Sequence, residues 1–252
     1  MSFFLPQEIF DLIIEQLCEE QATLKICCLV SKSWVARAQR HLFARVKFAV
    51  EPPVESWMKA FPDPSNSPAH YTRDLSICDT RIVYAATTIA QPWIRTFCNV
   101  ERLTVKTTGW GDMRISLIPL CALSPTLKYL CLSYGNISSS EIFNLIYSFR
   151  SLEDLVLMPI GEGETDTPVL PSMPPKFIEA FYLSTGLGLE FGARRPFALP
   201  GGLHFNKIVM DCLTDDIGPA AGLLSACCNT RESLTIMRWP PSASSLTFLI
   251  DE

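Results

Sequence analysis

Histidine is scarce in this chain: only His41, His70 and His204 occur among 252 residues. A serine or cysteine nucleophile needs a histidine brought beside it, and no motif joins any of the three to one. No Walker loop, G-x-S-x-G elbow or H-E-x-x-H pair is present. The stretch "GLGLEFG" (186–192) spaces its glycines as G-x-G-x-x-x-G and lacks the dinucleotide pattern. The ten cysteines include no C-x-x-C, so the paired ligands of a structural zinc site are missing too. They read as reduced, mostly buried thiols of an intracellular protein. The acidic run "GEGETD" (161–166) reads as a solvated loop. The expectation is a chain that is not an enzyme and has no catalytic residues, cofactor or metal.

Charge is sparse as well. Charged residues are 19% of the chain and the net charge is −5, which argues against a nucleic-acid footprint. No apolar run reaches the ~18 residues of a membrane span, and the N-terminus lacks the basic-then-apolar pattern of a secretory signal. The expected setting is the cytoplasm, the nucleus or both, where the acceptor-like Asn136-Ile137-Ser138 would go unglycosylated. With 48% hydrophobic residues the chain is no disordered polymer. At this size roughly 70–75% of the unfolded surface can be buried, so a substantial core is possible.

What is present starts at the N-terminus. "LPQEIFDLIIEQL" (5–17) reads as a helix, with Pro6 suited to its first turn. At ~100° per residue, with Ile9 at zero, Ile13, Leu17, Phe10 and Ile14 fall near 40, 80, 100 and 140°, and Leu12 near 300°. The apolar arc is therefore about 200° wide, roughly twice what an ordinary surface helix buries. "TLKICCLV" (23–30) reads as a second helix with Thr23 as its cap. "SKSWVARAQRHLF" (31–43) reads as a third, capped by Ser31, with Trp34, Val35, Ala38 and Leu42 on one side. Three short helices make a small core. The surplus apolar surface is either a docking face completed by a partner or a seat for the rest of the chain.

Residues 5 to 46 resemble an F-box. The shared pattern is Leu5-Pro6-Gln7-Glu8-Ile9, then Leu17, then Leu29-Val30-Ser31-Lys32-Ser33-Trp34. F-boxes bind the Skp-type adaptor of cullin–RING ubiquitin ligases. The resemblance implies that Leu5, Pro6, Ile9, Ile13, Leu17, Leu29, Val30, Ser31 and Trp34 contact that adaptor. It covers about a sixth of the chain and implies an F-box at 1–48.

The remainder, 49–252, is organised as a repeat. "FARVKF" (43–48), "TRDLSI" (72–77), "VERLTV" (100–105), "LKYLCL" (127–132), "LEDLVL" (152–157), "IEAFYL" (178–183), "FNKIVM" (205–210) and "RESLTI" (231–236) all fit apolar-x-x-apolar-x-apolar, apart from Thr72 and Arg231 at first positions. Their fourth positions, Val46, Leu75, Leu103, Leu130, Leu155, Phe181, Ile208 and Leu234, recur every 25 to 29 residues. Period and pattern resemble leucine-rich repeats. The departure is the missing asparagine three residues past the third apolar position, where Thr108, Gly135, Ile160 and Leu213 stand. Parallel strands buried on both faces would be continuously apolar; these alternate, so one face is open. Helices are expected at 54–61, at 138–149 with a Ser138–Glu141 capping box, and at 215–228. The Gly/Pro-rich segments 158–177 and 184–204 are expected to cross without long helices.

The expected architecture is α/β: a three-helix F-box module followed by an irregular leucine-rich-repeat-like solenoid of parallel strands and helices, as in fungal-type F-box/leucine-rich-repeat proteins. Third and fifth motif positions should face the open side. The third lane reads Asp74, Arg102, Tyr129, Asp154, Ala180, Lys207 and Ser233; the fifth reads Ser76, Thr104, Cys131, Val156, Tyr182, Val209 and Thr235. With only two cations, these lanes suit a protein or peptide target, with Tyr129 and Tyr182 as anchors. The functional expectation is a substrate adaptor joining Skp and target, without nucleic acid or membrane as partner. The alternative is a ligase-independent scaffold or inhibitor whose helices cap the solenoid. An intracellular hydrolase would require a Cys or Ser folded beside a histidine.

Overall fold

A computed structural model of the chain describes residues 6–49, 54–78, 91–106, 117, 120–121, 123, 125–134, 139–159, 176–184, 203–212, 233–238 and 246–249. The fold is α/β. Three helices open it: α1 (Gln7–Gln16), α2 (Gln21–Val30) and α3 (Lys32–Leu42). Among the described residues nine strands then form one sheet in sequence order: β1 (Arg45–Phe48), β2 (Asp74–Ile77), β3 (Arg102–Lys106), β4 (Tyr129–Tyr134), β5 (Asp154–Pro159), β6 (Lys176–Ser184), β7 (Leu203–Cys212), β8 (Ser233–Arg238) and β9 (Leu246–Leu249). The first eight are parallel and β9 is antiparallel to β8. Helices α4 (Val54–Ala60), α5 (Gln91–Thr96) and α6 (Ser139–Ser148) lie in the connections.

The repeat alignment is also the pairing register. Val46, Leu75, Leu103, Leu130, Leu155, Phe181, Ile208 and Leu234 pair successively across the eight parallel strands, and the third and fifth positions form continuous lanes beside them. Fourth and sixth positions on the described strands through β6 are buried in one large core. Ile94 of α5 and Phe97 just after it, and Ile142, Phe143, Leu145 and Ile146 of α6, fill the same core, with Trp57 and Met58 of α4 packed on it. The described helices of the connections thus cover one face, as strand alternation requires. The variation in repeat length is absorbed in the connections without a register slip.

A second device pins the strand entrances. In the first four units the carbonyl of the second motif position accepts two backbone N–H groups from the next: Ala44 from Arg73 and Asp74, Arg73 from Glu101 and Arg102, Glu101 from Lys128 and Tyr129, Lys128 from Glu153 and Asp154. The same residues alternate in charge, and the Arg73–Glu101 and Lys128–Glu153 pairs bridge adjacent strands. Opposite charges placed directly across favour this pairing over its alternatives.

Several expectations need correction. Strand β1 pairs with β2, and Val46 and Phe48 join the large core; 43–48 is the first repeat unit, as its pattern indicates, so the helical module ends short of the 1–48 boundary assigned to it. The α2 helix starts at Gln21, ahead of Thr23, whose hydroxyl donates to Glu20 Oε2 at 2.9 Å instead of capping. Pro6 precedes α1 instead of lying within it. The supposed connectors 158–177 and 184–204 are shortened, because β5 runs to Pro159, β6 starts at Lys176 and β7 at Leu203. The rest of both connectors, 160–175 and 185–202, lies outside the described residues. The helix expected at 215–228, Ser138, and the positions of the missing asparagines lie outside the described residues.

The module has its own core of Ile14, Leu24, Cys27 and Ala38, with Leu17, Cys28, Trp34 and Leu42 against it. Ser31 caps α3 by accepting the Ser33 N–H, as expected. Module and sheet are joined by Phe43, at the end of α3, whose ring makes edge contacts with Trp57 and Phe61 at 5.7 and 6.0 Å. Arg45 reaches back to Glu19 at 2.6 Å.

At the far end of α6, the Lys176 ammonium donates to the carbonyls of Ile146 (2.6 Å) and Phe149. Burial pulls its pKa down to about 8. Between about pH 8 and 10.5 the unfolded lysine keeps a proton that the folded one has lost, so stability rises with pH across that window and falls as pH drops through 8. Denaturation of wild type and Lys176→Met at several pH values should show that rise in the wild type alone; equal slopes would refute it.

Candidate functional site

The first candidate surface is the outside of α1 and α2. Burial splits the apolar arc of α1 in two. Ile14, Phe10 and Leu17, at about 80–140° on the helical wheel, turn toward the module interior, with Phe10 lying 5.2 Å from the Trp34 ring. Ile9, Ile13 and Leu12, at about 300–40°, stand in solvent. The α2 helix divides likewise: Leu24 and Cys27 are buried, while Ile26, Leu29 and Val30 are exposed. Leu29 is 86% exposed. Of the exposed large hydrophobic residues among those described, all but Phe177 belong to these two helices.

The residues that the resemblance assigned to adaptor contact therefore divide. Pro6, Ile9, Ile13, Leu29 and Val30 are exposed on the outer surface. Leu17 and Trp34 pack on the module core, and Ser31 serves as a cap, so these three shape the surface more than they form it. Leu5 lies outside the described residues. Leu12 and Ile26 were not among the candidates, yet both are exposed. The signal existed: Leu12 lay at the far edge of the arc, and Ile26 is one helical turn from Leu29 and Val30.

The second surface is the face of the sheet that the described helices leave uncovered. Asp74, Arg102, Tyr129, Asp154, Ala180 and Lys207 stand side by side in one lane, with Ser233 next in register, and Ser76, Thr104, Cys131, Val156, Tyr182 and Val209 in the lane beside it. Three of these positions are closed: Cys131, Ala180 and Val209 are buried among longer neighbours. Both tyrosines carry a cation. The Arg102 guanidinium lies 4.0 Å from the Tyr129 ring centroid, and Lys207 Nζ lies 5.9 Å from that of Tyr182. Tyr129 is thus less free as an anchor than its position in the lane promised, and the Tyr182 ring is the looser of the two. Arg102 also lies 4.0 Å from Asp74. Burial, with Cys131 adjacent, pushes the Tyr129 phenol up to about 12. Burial likewise raises the Cys131 thiol, which keeps it protonated and a poor nucleophile.

The face is wider than the two lanes. Because β1 belongs to the sheet, Arg45 and Lys47 extend the lanes by one strand; a seventh position adds Lys106 opposite Ser133. The count of two cations made from sequence omitted all three. The lanes drawn from sequence begin at the second unit and end at the sixth motif position, which leaves out β1 and Lys106.

The histidines have structural neighbours. His41 Nε2 lies 3.7 Å from Glu15, whose carboxylate also holds Arg37 at 2.9 Å. His70 Nδ1 lies 3.0 Å from the Ser67 carbonyl, and His204 stacks on Phe177. Among the described residues no group of three His, Cys, Asp or Glu side chains could hold a metal ion, no disulfide is formed, and no helix is long and apolar enough to cross a membrane. The "GLGLEFG" and "GEGETD" stretches lie outside the described residues. Compared with known proteins, the chain matches no family model and no curated sequence.

Proposed function

We propose that the chain is a substrate-recognition subunit of a Skp–cullin–F-box ubiquitin ligase. Helices α1–α3 act as the F-box and bind a Skp-type adaptor; the sheet and its covering helices act as a leucine-rich-repeat-like solenoid that receives a protein or peptide target. No catalytic residue is needed. Holding the target beside the ligase's charged enzyme raises the effective concentration of a target lysine, which is the whole contribution asked of such a subunit. Its place of action would be the cytoplasm, the nucleus or both.

One observation carries this reading: the outward apolar faces of α1 and α2. A helical cap that only closes the end of a repeat array needs a polar outer face for solubility. Here Ile9, Leu12, Ile13, Ile26, Leu29 and Val30 stand outward instead. Covering such residues is a driving force for association. The second reading, a ligase-independent scaffold or inhibitor with a helical cap, draws support from the Phe43–Trp57–Phe61 contacts that fuse the module to the sheet. It leaves the outer faces without a use.

The test contrasts inside with outside. Ile26→Lys with Leu29→Lys changes exposed positions, and Leu29 lies near the helix C-terminus where a cation is tolerated; each change should shift stability by no more than about 0.5 kcal/mol. Capture of a purified Skp adaptor should nonetheless weaken at least tenfold, about 1.4 kcal/mol. Ile14→Ala, in the module core, should cost about 2–5 kcal/mol of stability. Undiminished adaptor binding by the double variant, or none by the wild type, would sink the assignment.

A further inference from the structure

The open face is electrically divided along the sheet. On strands β1 to β3 its side chains are Arg45, Lys47, Asp74, Ser76, Arg102, Thr104 and Lys106. Four are cations, in a chain whose net charge is −5. Asp74 lies 4.0 Å from Arg102, and Arg45 is held by Glu19. No carboxylate among the described residues pairs with Lys47 or Lys106, and both are exposed. From β4 onward the character changes. Val156, Met158 and Tyr182 are half-buried in the lanes, and Asp154 and Lys207 leave that part without net charge among the side chains described.

Lys47 and Lys106 stand two strands apart and two residues out of step. That places their backbones about 12 Å from one another, with Ser76 and Thr104 between. Their long side chains can converge on one anionic group or flank two neighbouring ones. The span from β1 to β7 is about 29 Å, the length of roughly nine extended residues.

Taking the open face as the target-receiving surface, as the functional reading above does, we infer that it accepts an extended peptide segment with acidic residues at one end and apolar residues at the other. The acidic end lies across Lys47, Arg102 and Lys106; the apolar end lies across Val156, Met158 and Tyr182. Charge complementarity sets the direction of the segment and hastens its arrival, while the apolar end supplies contact area. A carboxylate and a phosphoryl group on a side chain offer the cations the same chemistry. A nucleic acid fits less well, since its charge continues along its whole length and would meet Asp154.

Fluorescence anisotropy with the full chain tests this. The probes are peptides of about nine residues carrying Glu, phosphoserine, Gln or Lys at one end and Leu and Phe at the other, with single-stranded oligouridylate for comparison. The Glu or the phosphoserine peptide should bind at least tenfold tighter than the Gln peptide, and more weakly as salt rises; which of the two binds tighter identifies the anion. Lys47→Glu with Lys106→Glu, both surface changes, should erase the preference without altering the thermal melt. Tyr182→Ala should weaken the Glu and Gln peptides alike. Equal binding of Glu, phosphoserine and Gln peptides, a preference for oligouridylate, or an acidic preference that survives the double reversal would overturn the inference. Skp-adaptor capture is measured on the same protein. Retained capture without peptide selectivity overturns this inference alone; selectivity without capture upholds it and overturns the ligase reading.

Discussion

Lateral pairing of eight parallel strands at one register is the constraint on which everything else rests. It brings every fourth and sixth motif position to the same face, where a single core can form from repeats that would each be too small alone. The packing is close: Phe181 and Phe205 stack at 4.8 Å, and Leu103, Leu130 and Leu155 are fully buried. A slip by one residue would send this entire row to the open side and bury the charged lane. The shared carbonyls and alternating charges at the strand entrances guard against that slip. Connections can then vary in length and composition, because register is fixed where strands touch.

Much of this was legible in the sequence because the signal is collective. No single hexamer is diagnostic, but eight at near-constant spacing specify strand order, pairing partners and the inward lane, and the register follows that alignment. What escaped was decided between elements. The hexamer at 43–48 belongs to the repeat by its pattern, and its pairing with β2 bears that out, but the open-face lanes drawn from the second unit onward leave its side chains out. With it went Arg45 and Lys47. The cations over Tyr129 and Tyr182 come from neighbouring strands, and a lane reading lists residues without saying which long side chain folds across which ring. The length of β6 and β7 escaped for another reason: their flanks, Lys176-Phe177 and Leu203-His204, carry no Gly or Pro and extend the same ladder into segments that are Gly/Pro-rich only farther in.

The helical module shows the opposite balance. Its sequence announced too much apolar surface but not how that surface would be divided. The wheel of α1 places six apolar side chains over about 200°, and geometry alone allows either edge to turn inward. Packing against α3 decides it. Trp34 receives Phe10, Ala38 lets the helices approach, and the remaining edge faces outward. Leu17, Ser31 and Trp34 then have clear work as packing and capping residues, whatever the module binds. A motif can hold such residues fixed for the shape of a surface that they barely enter.

The joint between module and sheet bears on how the two surfaces could work together. Recruitment by effective concentration succeeds only when the linkage lets both ends engage at once, and a stiff linkage of the right span concentrates more than a slack one. Here there is no linker to speak of: α3 ends at Leu42 and β1 begins at Arg45. Phe43 sets its ring edge-on against both Trp57 and Phe61, whose own rings lie 4.9 Å apart, in an aromatic cluster that continues through Phe48 and Phe97. The Arg45 guanidinium, on the open face of the first strand, is the same group that grips Glu19 in the module. That pair is exposed, so it adds little stability by itself. Its position matters more, because it lies where the cationic strands meet the helices. On the reading proposed above, an acidic segment seated on those strands would compete with Glu19 for Arg45, so target contact would be felt electrostatically at the joint.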